Sequence, residues 1–361
     1  MNGLLTRRQI DALRAQGAIR LASDLDPTQC QPTTLDLRLG EHALAIEAGF
    51  LPRGGSVKNR AASLARERLD LREGAVLKRG QVYLVPLLES LALPEGLRAR
   101  ANPRSSTGRI DVFTRLLVDG GDRFDDVPAG YTGPLWVEVL PRSFDVRVRT
   151  GLRLNQLRFL RGDPLLRDDE LAQRVLSDDL LPGSEAPPIH NASLLLGLSV
   201  RAESPGAPIG WRARHETPVL DLTSARPHDP HAFFEPVFPD QRDGLILQPE
   251  AFYILASSER VRVPPDLAAE MLPWDVGMGE LRTNYAGFFD PGFGWGPAAP
   301  SGAAAVLEVR PHDVPFHVEH GQAIFRLQFS RTVEPAAQLY GEGGSAYQNQ
   351  GLQLARYFAQ P

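Results

Sequence analysis

Two arginines bracket three hydroxyls and a glycine at Arg104-Ser105-Ser106-Thr107-Gly108-Arg109. Hydroxyls and backbone amides can hydrogen-bond phosphate oxygens, while guanidinium forks add charge and a planar, bidentate geometry. Gly108 permits close backbone approach. The same residues would also make a polar turn between strands. A second group, Tyr285-Ala286-Gly287-Phe288-Phe289-Asp290-Pro291-Gly292-Phe293-Gly294, sets an aromatic pair before an Asp-Pro-Gly turn. Such a turn can offer a carboxylate and carbonyls to a sugar or base, or simply close a hairpin. A third feature is a glutamate inside an apolar run, met twice, at Glu138 and Glu308. A carboxylate among strand hydrophobics faces solvent, is paired, or is functional. In a pocket, desolvation would raise its pKa and suit it to proton transfer.

Other chemistries are excluded by what they lack. His317-Val318-Glu319-His320 contains the H-x-E fragment of zinc deaminases, but Cys30 is the one cysteine, so the P-C-x-x-C partner is missing and no zinc is expected. One cysteine also rules out an internal disulfide framework. No nucleophile elbow, P-loop or dinucleotide fingerprint is present.

The elements that must position these residues come in two sets. Residues 74–103 read in register with 244–273, with identities at Gly74/Gly244, Leu77/Leu247, Tyr83/Tyr253, Glu89/Glu259, Pro94/Pro264, Leu97/Leu267, Ala99/Ala269 and Pro103/Pro273. The same register continues through Glu138/Glu308, Val139/Val309, Pro141/Pro311, Gly151/Gly321, Leu157/Leu327 and Phe159/Phe329. A self-repeat of this kind predicts one fold used twice. A helix is predicted over 5–17, where Leu5, Ile10 and Leu13 stand among charges. Beyond it, short alternating runs closed by Gly, Pro, Asp or Asn read as strands of a barrel or sandwich. The fold class expected is all-β, as two tandem barrel or jelly-roll domains with a few short helices. The expected division is a first copy over 1–165, a linker with a short helix over 166–188, a second copy over 189–335, and a tail over 336–361. The tail is Gly-rich, then weakly helical, and could be a frayed end or a lid.

The chain has 361 residues and a net charge of −5, which disfavours a long nucleic acid polymer as partner but leaves room for a single nucleotide. No apolar run approaches the roughly 18 residues of a membrane span. The charged start MNGLLTRRQ does not read as a signal peptide, so a cytoplasmic location is expected.

Taken together, the motifs resemble a family. Gln31-Pro32-Thr33-Thr34-Leu35-Asp36-Leu37-Arg38-Leu39-Gly40 resembles the opening strand of dCTP deaminases, and the stretch 104–109 resembles their phosphate loop. The stretch 286–294 resembles their A-x-x-x-D-P-G-W/F-x-G motif, Leu307-Glu308 their catalytic glutamate segment, and Tyr340 with 346–351 their C-terminal lid. The chain is similar to the long, duplicated form of this family within the dUTPase-like superfamily. The resemblance implies a dUTPase-like fold and zinc-independent hydrolysis of dCTP to dUTP and ammonia, with Mg2+ carried on the triphosphate. It implies a glutamate that activates the water attacking C4 of cytosine, aided by Ser105 and Arg109. It implies nucleotide contacts from Arg104, Ser106, Thr107, Gly108, Ala286, Asp290, Tyr340, Tyr347 and Gln350. A homo-oligomer, with a trimer of chains as the guess, and feedback by dTTP are family possibilities.

The departures are specific. The first copy keeps Arg104–Arg109 but has Asp125-Asp126-Val127-Pro128-Ala129-Gly130 before Tyr131-Thr132-Gly133. The second copy keeps Asp290-Pro291-Gly292 but has Trp274-Asp275 where the phosphate loop would start, and an insertion before Glu308. One expectation is a composite site that joins Arg104, Ser105, Ser106 and Arg109 to Ala286, Asp290 and Glu308, closed by Tyr340 and Gln350. The rival placement uses Glu138 with the phosphate loop of its own copy. The competing functions are a bifunctional enzyme giving dUMP and a non-catalytic nucleotide sensor.

Overall fold

Alternation of apolar and polar residues lays down strands almost from end to end. The computed structural model describes residues 2–24, 26–184, 189–240, 244–273, 281–283 (backbone), 287–297, 299–342 and 347–360. These residues divide into two units, the first formed by 1–164, 218–227 and 332–334, the second by 165–217, 228–331 and 335–361.

In the first unit, β1 (Gly3–Leu4) leads into α1 (Arg7–Ala15), the helix expected near the start. Ile10 and Leu13 form its buried side, and the Thr6 amide donates to Gln9 Oε1 at 2.9 Å ahead of its first turn. Then follow β2 (Ile19–Leu21), β3 (Thr34–Arg38), β4 (His42–Ile46), α2 (Val57–Leu64), β5 (Ala65–Asp70), β6 (Ala75–Leu77), β7 (Val82–Ala92) and β8 (Leu97–Pro103). A single-turn helix α3 (Ser105–Gly108) precedes β9 (Val112–Val118), β10 (Asp126–Val127), β11 (Thr132–Pro141), β12 (Val146–Val148) and β13 (Arg153–Arg161). One sheet runs β1-β13-β8-β10 with β3 also on β13; another runs β5-β4-β7-β11-β9 with β2 on β7. Leu35, Leu37, Leu97, Ala99, Leu116, Leu135, Leu157 and Phe159 share the main core. A smaller cluster of Ile46, Val57, Ala61, Leu84, Leu117 and Trp136 lies on the other face of the second sheet, beneath α2.

The second unit contains α4 (Asp168–Asp178), β14 (Ser193–Ser199), β15 (Gly210–Ala213), β17 (Phe234–Val237), β18 (Gly244–Leu247), β19 (Tyr253–Val261), β20 (Leu267–Pro273), β21 (Leu281–Thr283), β22 (Phe288–Phe289), β23 (Ala303–Pro311), β24 (Phe316–Glu319) and β25 (Ala323–Arg331). The intervening β16 (Leu220–Asp221) pairs in parallel with β12, and so belongs to the first unit. The pairings β11 with β7, β11 with β9, β13 with β8, β13 with β3 and β12 with β6 have counterparts in β23 with β19, β23 with β21, β25 with β20, β25 with β14 and β24 with β18. Registers match as well: Glu138 faces Leu84 and Glu308 faces Ile254. Even a turn is shared. The Tyr83 hydroxyl accepts from the Lys78 amide at 2.9 Å, and the Tyr253 hydroxyl from the Gln248 amide at 3.0 Å.

The fold is therefore all-β, with corresponding strand pairings in the two units and a few short helices. The short helix expected within 166–188 is α4, and Leu166, Leu171, Val175, Leu180 and Leu181 of this segment enter the core of the second unit through an apolar stripe at helical spacing. One stretch differs from expectation. The C-terminal stretch read as weakly helical holds no helix among its described residues. It is not frayed either, since Tyr347, Gln350, Leu354, Ala355 and Phe358 are buried. No helix among the described residues is long and apolar enough to cross a membrane.

Candidate active site

The phosphate-loop candidate begins where β8 ends. Pro103 pairs with Asn155 of β13, and Arg104 stays extended at the entrance to α3. The amides of Thr107 and Gly108 donate to the Arg104 carbonyl at 2.8 and 3.0 Å, which winds residues 105–108 into one turn. Ser106, Thr107 and Gly108 are buried, as is the side chain of Arg109, while Arg104 and Ser105 are half-buried. Arg104 Nε lies 3.1 Å from Asp36 Oδ1, and Arg153 Nη1 lies 3.7 Å from Asp36 Oδ2. Asp36 comes from the strand of the opening motif. Arg104 Nη1 and Thr107 Oγ1 are both buried without a hydrogen-bond partner among the described residues. Buried donors of this kind are uncommon, because losing water without a replacement is costly. A bound anion would satisfy them.

Glu138 sits in the other sheet of the same unit. Leu135 of β11 points into the main core and Trp136 into the cluster under α2, so by alternation Glu138 shares the face of Trp136. Directly across the ladder stands Arg115 of β9. Arg115 Nε donates to Glu138 Oε1 at 2.9 Å and its Nη2 donates to the same oxygen. The guanidinium also lies 3.7 Å over the Phe124 ring, a stacked arrangement that suits arginine. A Cβ on Gly49 would fall 2.5 Å from Glu138 Oε2, so the loop at Gly49 lies against the carboxylate. Glu138 is 1% exposed. Nearby, Asp125 has a left-handed φ of 61° and accepts from the Leu116 amide at 2.8 Å. Burial pushes its carboxyl up to about 7, against the backbone hydrogen bond and the pull of Arg115, Arg100 and Arg158.

The second unit carries the remaining candidates. The turn at Asp290 is held by Gly292, whose amide donates to the Val263 carbonyl at 2.9 Å with φ at 98°. The tail packs on this turn. Tyr340 N donates to the Pro291 carbonyl at 2.8 Å, and the Tyr340 ring is 5.8 Å from that of Phe293. Gln348 Nε2 donates to the Gly292 carbonyl at 2.8 Å. Farther along, the Ala304 amide donates to the Gln350 carbonyl at 3.1 Å while Gln350 Nε2 donates to the Ala304 carbonyl at 2.9 Å. Among the described residues β21 pairs with β23 at Val309–Pro311, and β9 follows β11 from Leu135 to Pro141. Glu308 lies four residues along from Ala304 on the same buried strand, 2% exposed. The hydroxyl of Tyr347 accepts from the Arg356 amide at 3.0 Å. Asp290 is buried in the turn, and Ala286 lies outside the described residues.

Sequence reasoning missed three contributors. Arg115 is 23 residues from Glu138 in the chain, and only the ladder register makes them partners. Gln348 lies within the expected lid stretch 346–351 but was not singled out, since its bond to Gly292 depends on how the tail folds back. Phe358 ends the tail in a ring cluster with Phe233 and Phe234, and no local pattern announces it.

Residues 1–163 match the family model of the 2'-deoxycytidine 5'-triphosphate deaminase (DCD) N-terminal domain, and 167–358 match that of its C-terminal domain. A crystal structure of 2'-deoxycytidine 5'-triphosphate deaminase from Agrobacterium tumefaciens is 45% identical, with a TM-score of 0.88, covering 92% of this chain and 99% of that one. A dUMP-forming dCTP deaminase of Methanoculleus marisnigri is 29% identical over 174 residues, 47% of this chain and 87% of the relative. A dCTP deaminase of Ignicoccus hospitalis is 35% identical over 97 residues, 27% of this chain; the match spans about half, 49%, of that relative's length. With family models matching both halves, this chain belongs to the dCTP deaminase family of enzymes.

Proposed function

We propose that the protein hydrolyses dCTP to dUTP and ammonia, with Glu308 as the proton-transfer residue. The observation that favours Glu308 over Glu138 is the pairing of Glu138 with Arg115 beneath Gly49, which commits that carboxylate to holding its own sheet together. Glu308 stands instead on the strand that the tail clasps, in the unit that also holds the Asp290 turn. In this reading Glu308 takes a proton from water as its oxygen bonds to C4 of cytosine. The C4–N bond then breaks, and the proton leaves with ammonia. No zinc takes part.

Arg104, Ser105, Ser106, Thr107, Gly108 and Arg109 are assigned to the triphosphate, with Ser105 and Arg109 also helping to place the attacking water. The buried, unpartnered Arg104 Nη1 and Thr107 Oγ1 support an anion at this loop. Its donors are guanidinium, hydroxyl and amide groups with no carboxylate among 104–109, so Mg2+ would ride on the phosphates. Asp290 and Ala286 are assigned to the sugar and base, and Tyr340, Tyr347 and Gln350 to closing the site. The proposal extends to a homo-oligomer, guessed as a trimer of chains, in the cytoplasm, and to dTTP as feedback inhibitor; light scattering and inhibition of turnover by dTTP read these.

A second reading, formation of dUMP, is favoured by relatives named dUMP-forming, among them that of Acidothermus cellulolyticus, 25% identical over 155 residues. Incubation with dCTP and Mg2+, with and without a zinc chelator, followed by ion-exchange separation, tests both. dUTP under both conditions supports the first reading, dUMP with pyrophosphate the second. Bound but unturned dCTP would leave a nucleotide sensor.

A further inference from the structure

The end of the tail carries a ring cluster to which the proposed reaction assigns no role. The Phe358 ring lies 5.5 Å from Phe233, 5.4 Å from Phe234 and 6.4 Å from His228, each edge-on, the arrangement aromatic quadrupoles favour. The backbone is tied at the same point. The His228 amide donates to the Tyr357 carbonyl at 2.8 Å, and the Ala359 amide donates to the His228 carbonyl at 2.9 Å.

Strand register places this clasp on the side of the sheet that bears Glu308. Glu308 opposes Ile254, Ile254 opposes Trp211, and Trp211 and Ala213 oppose Pro236 and Phe234. Opposed residues share a face, as do residues two apart on one strand. Phe234, Trp211, Ile254 and Glu308 therefore look out of the same side. Between the clasp and β23 the tail is tied by Arg356 N to the Tyr347 hydroxyl and by Gln350 to Ala304, and Leu354 and Ala355 between these ties are buried.

We propose that Phe358 is a positioning residue for substrate binding: by fixing the far end of the tail it holds Gln350 against Ala304, on the strand that carries Glu308, and Tyr347 against Arg356. This inference rests on the deaminase reading. A tail without its clasp has to be ordered at each substrate encounter, whereas the clasped tail is ordered by folding, so the effect falls on affinity.

The test compares wild-type protein with Phe358→Ala, Phe358→Leu, Gln350→Ala and the double Phe358→Ala/Gln350→Ala. Phe358→Ala is expected to raise KM for dCTP by about tenfold with kcat changed less than about threefold. Trypsin should cut after Arg356 faster in that variant, a readout independent of turnover. Phe358→Leu keeps most of the volume and should give a smaller rise in KM, which keeps the test valid if the alanine variant folds poorly. Because Phe358 acts through Gln350, the double variant should be little worse than the weaker single. Unchanged KM and trypsin sensitivity in Phe358→Ala, or fully additive losses in the double, would overturn the proposal. A wild-type protein that leaves dCTP unchanged would instead overturn the deaminase reading.

Discussion

The two glutamates share a strand position, a register and near-complete burial, and the proposed function gives them different work. Glu138 accepts from Arg115 and lies against Gly49. Glu138→Gln keeps an acceptor for Arg115 but removes the buried negative charge, so it should lower stability by about 1–3 kcal/mol while leaving kcat within a few-fold. Glu308→Gln should keep the fold and lower kcat by about 10²–10⁴. Urea denaturation and steady-state kinetics on both variants check this, and the reverse pattern would move catalysis to the first unit. Asp125 gives a pH prediction. Its carboxyl is raised to about 7 in the folded protein by burial, against about 3.9 in an unfolded chain. Between these values the unfolded chain has released a proton that the folded one retains, so stability falls as pH rises from about 4 to about 7 and levels off above. Asp125→Asn removes that contribution while keeping the acceptor for the Leu116 amide. Its melting temperature relative to wild type should therefore be higher at pH 8 than at pH 4, as thermal melts at both pH values would show.

Strands are the elements that the sequence disclosed best, because alternation along β8, β11, β13 and their counterparts is set by one buried face per sheet. Elements whose placement depends on distant partners were not legible. The short helix of 166–188 was legible, but that Leu171 and Val175 of α4 enter the core of the second unit was not, because the strands they pack on lie far along the chain. The tail has no local periodicity; its order comes from Pro291, Gly292, Ala304 and His228, all far away in the chain. Arg115 and Glu138 are partners only through hairpin register. Gly292 tests the tail as an element. A Cβ there would meet Leu339 Cβ at 2.6 Å and Tyr340 N at 2.8 Å, at a φ that side chains avoid. Gly292→Ala should push residues 339–340 off the turn and lower kcat/KM for dCTP by about tenfold or more. Circular dichroism should still report an intact β-fold, because the core strands do not depend on this contact. Full activity in that variant would show that the packing of the tail on the Asp290 turn is dispensable.

At the scale of the whole molecule, the two units share corresponding strand pairings and differ in the loops that hang from them. The first retains the hydroxyl-and-arginine loop at 104–109 and the second retains Asp290-Pro291-Gly292. The family resemblance named both from residues alone, since short motifs with fixed chemistry survive where general sequence similarity is modest. What composition could not supply was a ground for proposing one glutamate over the other, which comes from the Arg115 that Glu138 meets.

The central claim is that this chain replaces the exocyclic amine of dCTP by a water oxygen. Mass spectrometry of the nucleotide after reaction in 18O-labelled water tests it most directly. The account predicts dUTP carrying one heavy oxygen on the uracil ring and an intact, unlabelled triphosphate. Unchanged dCTP would contradict it, and dUMP with heavy oxygen also in the released or retained phosphate would show that the protein goes on to cleave the triphosphate.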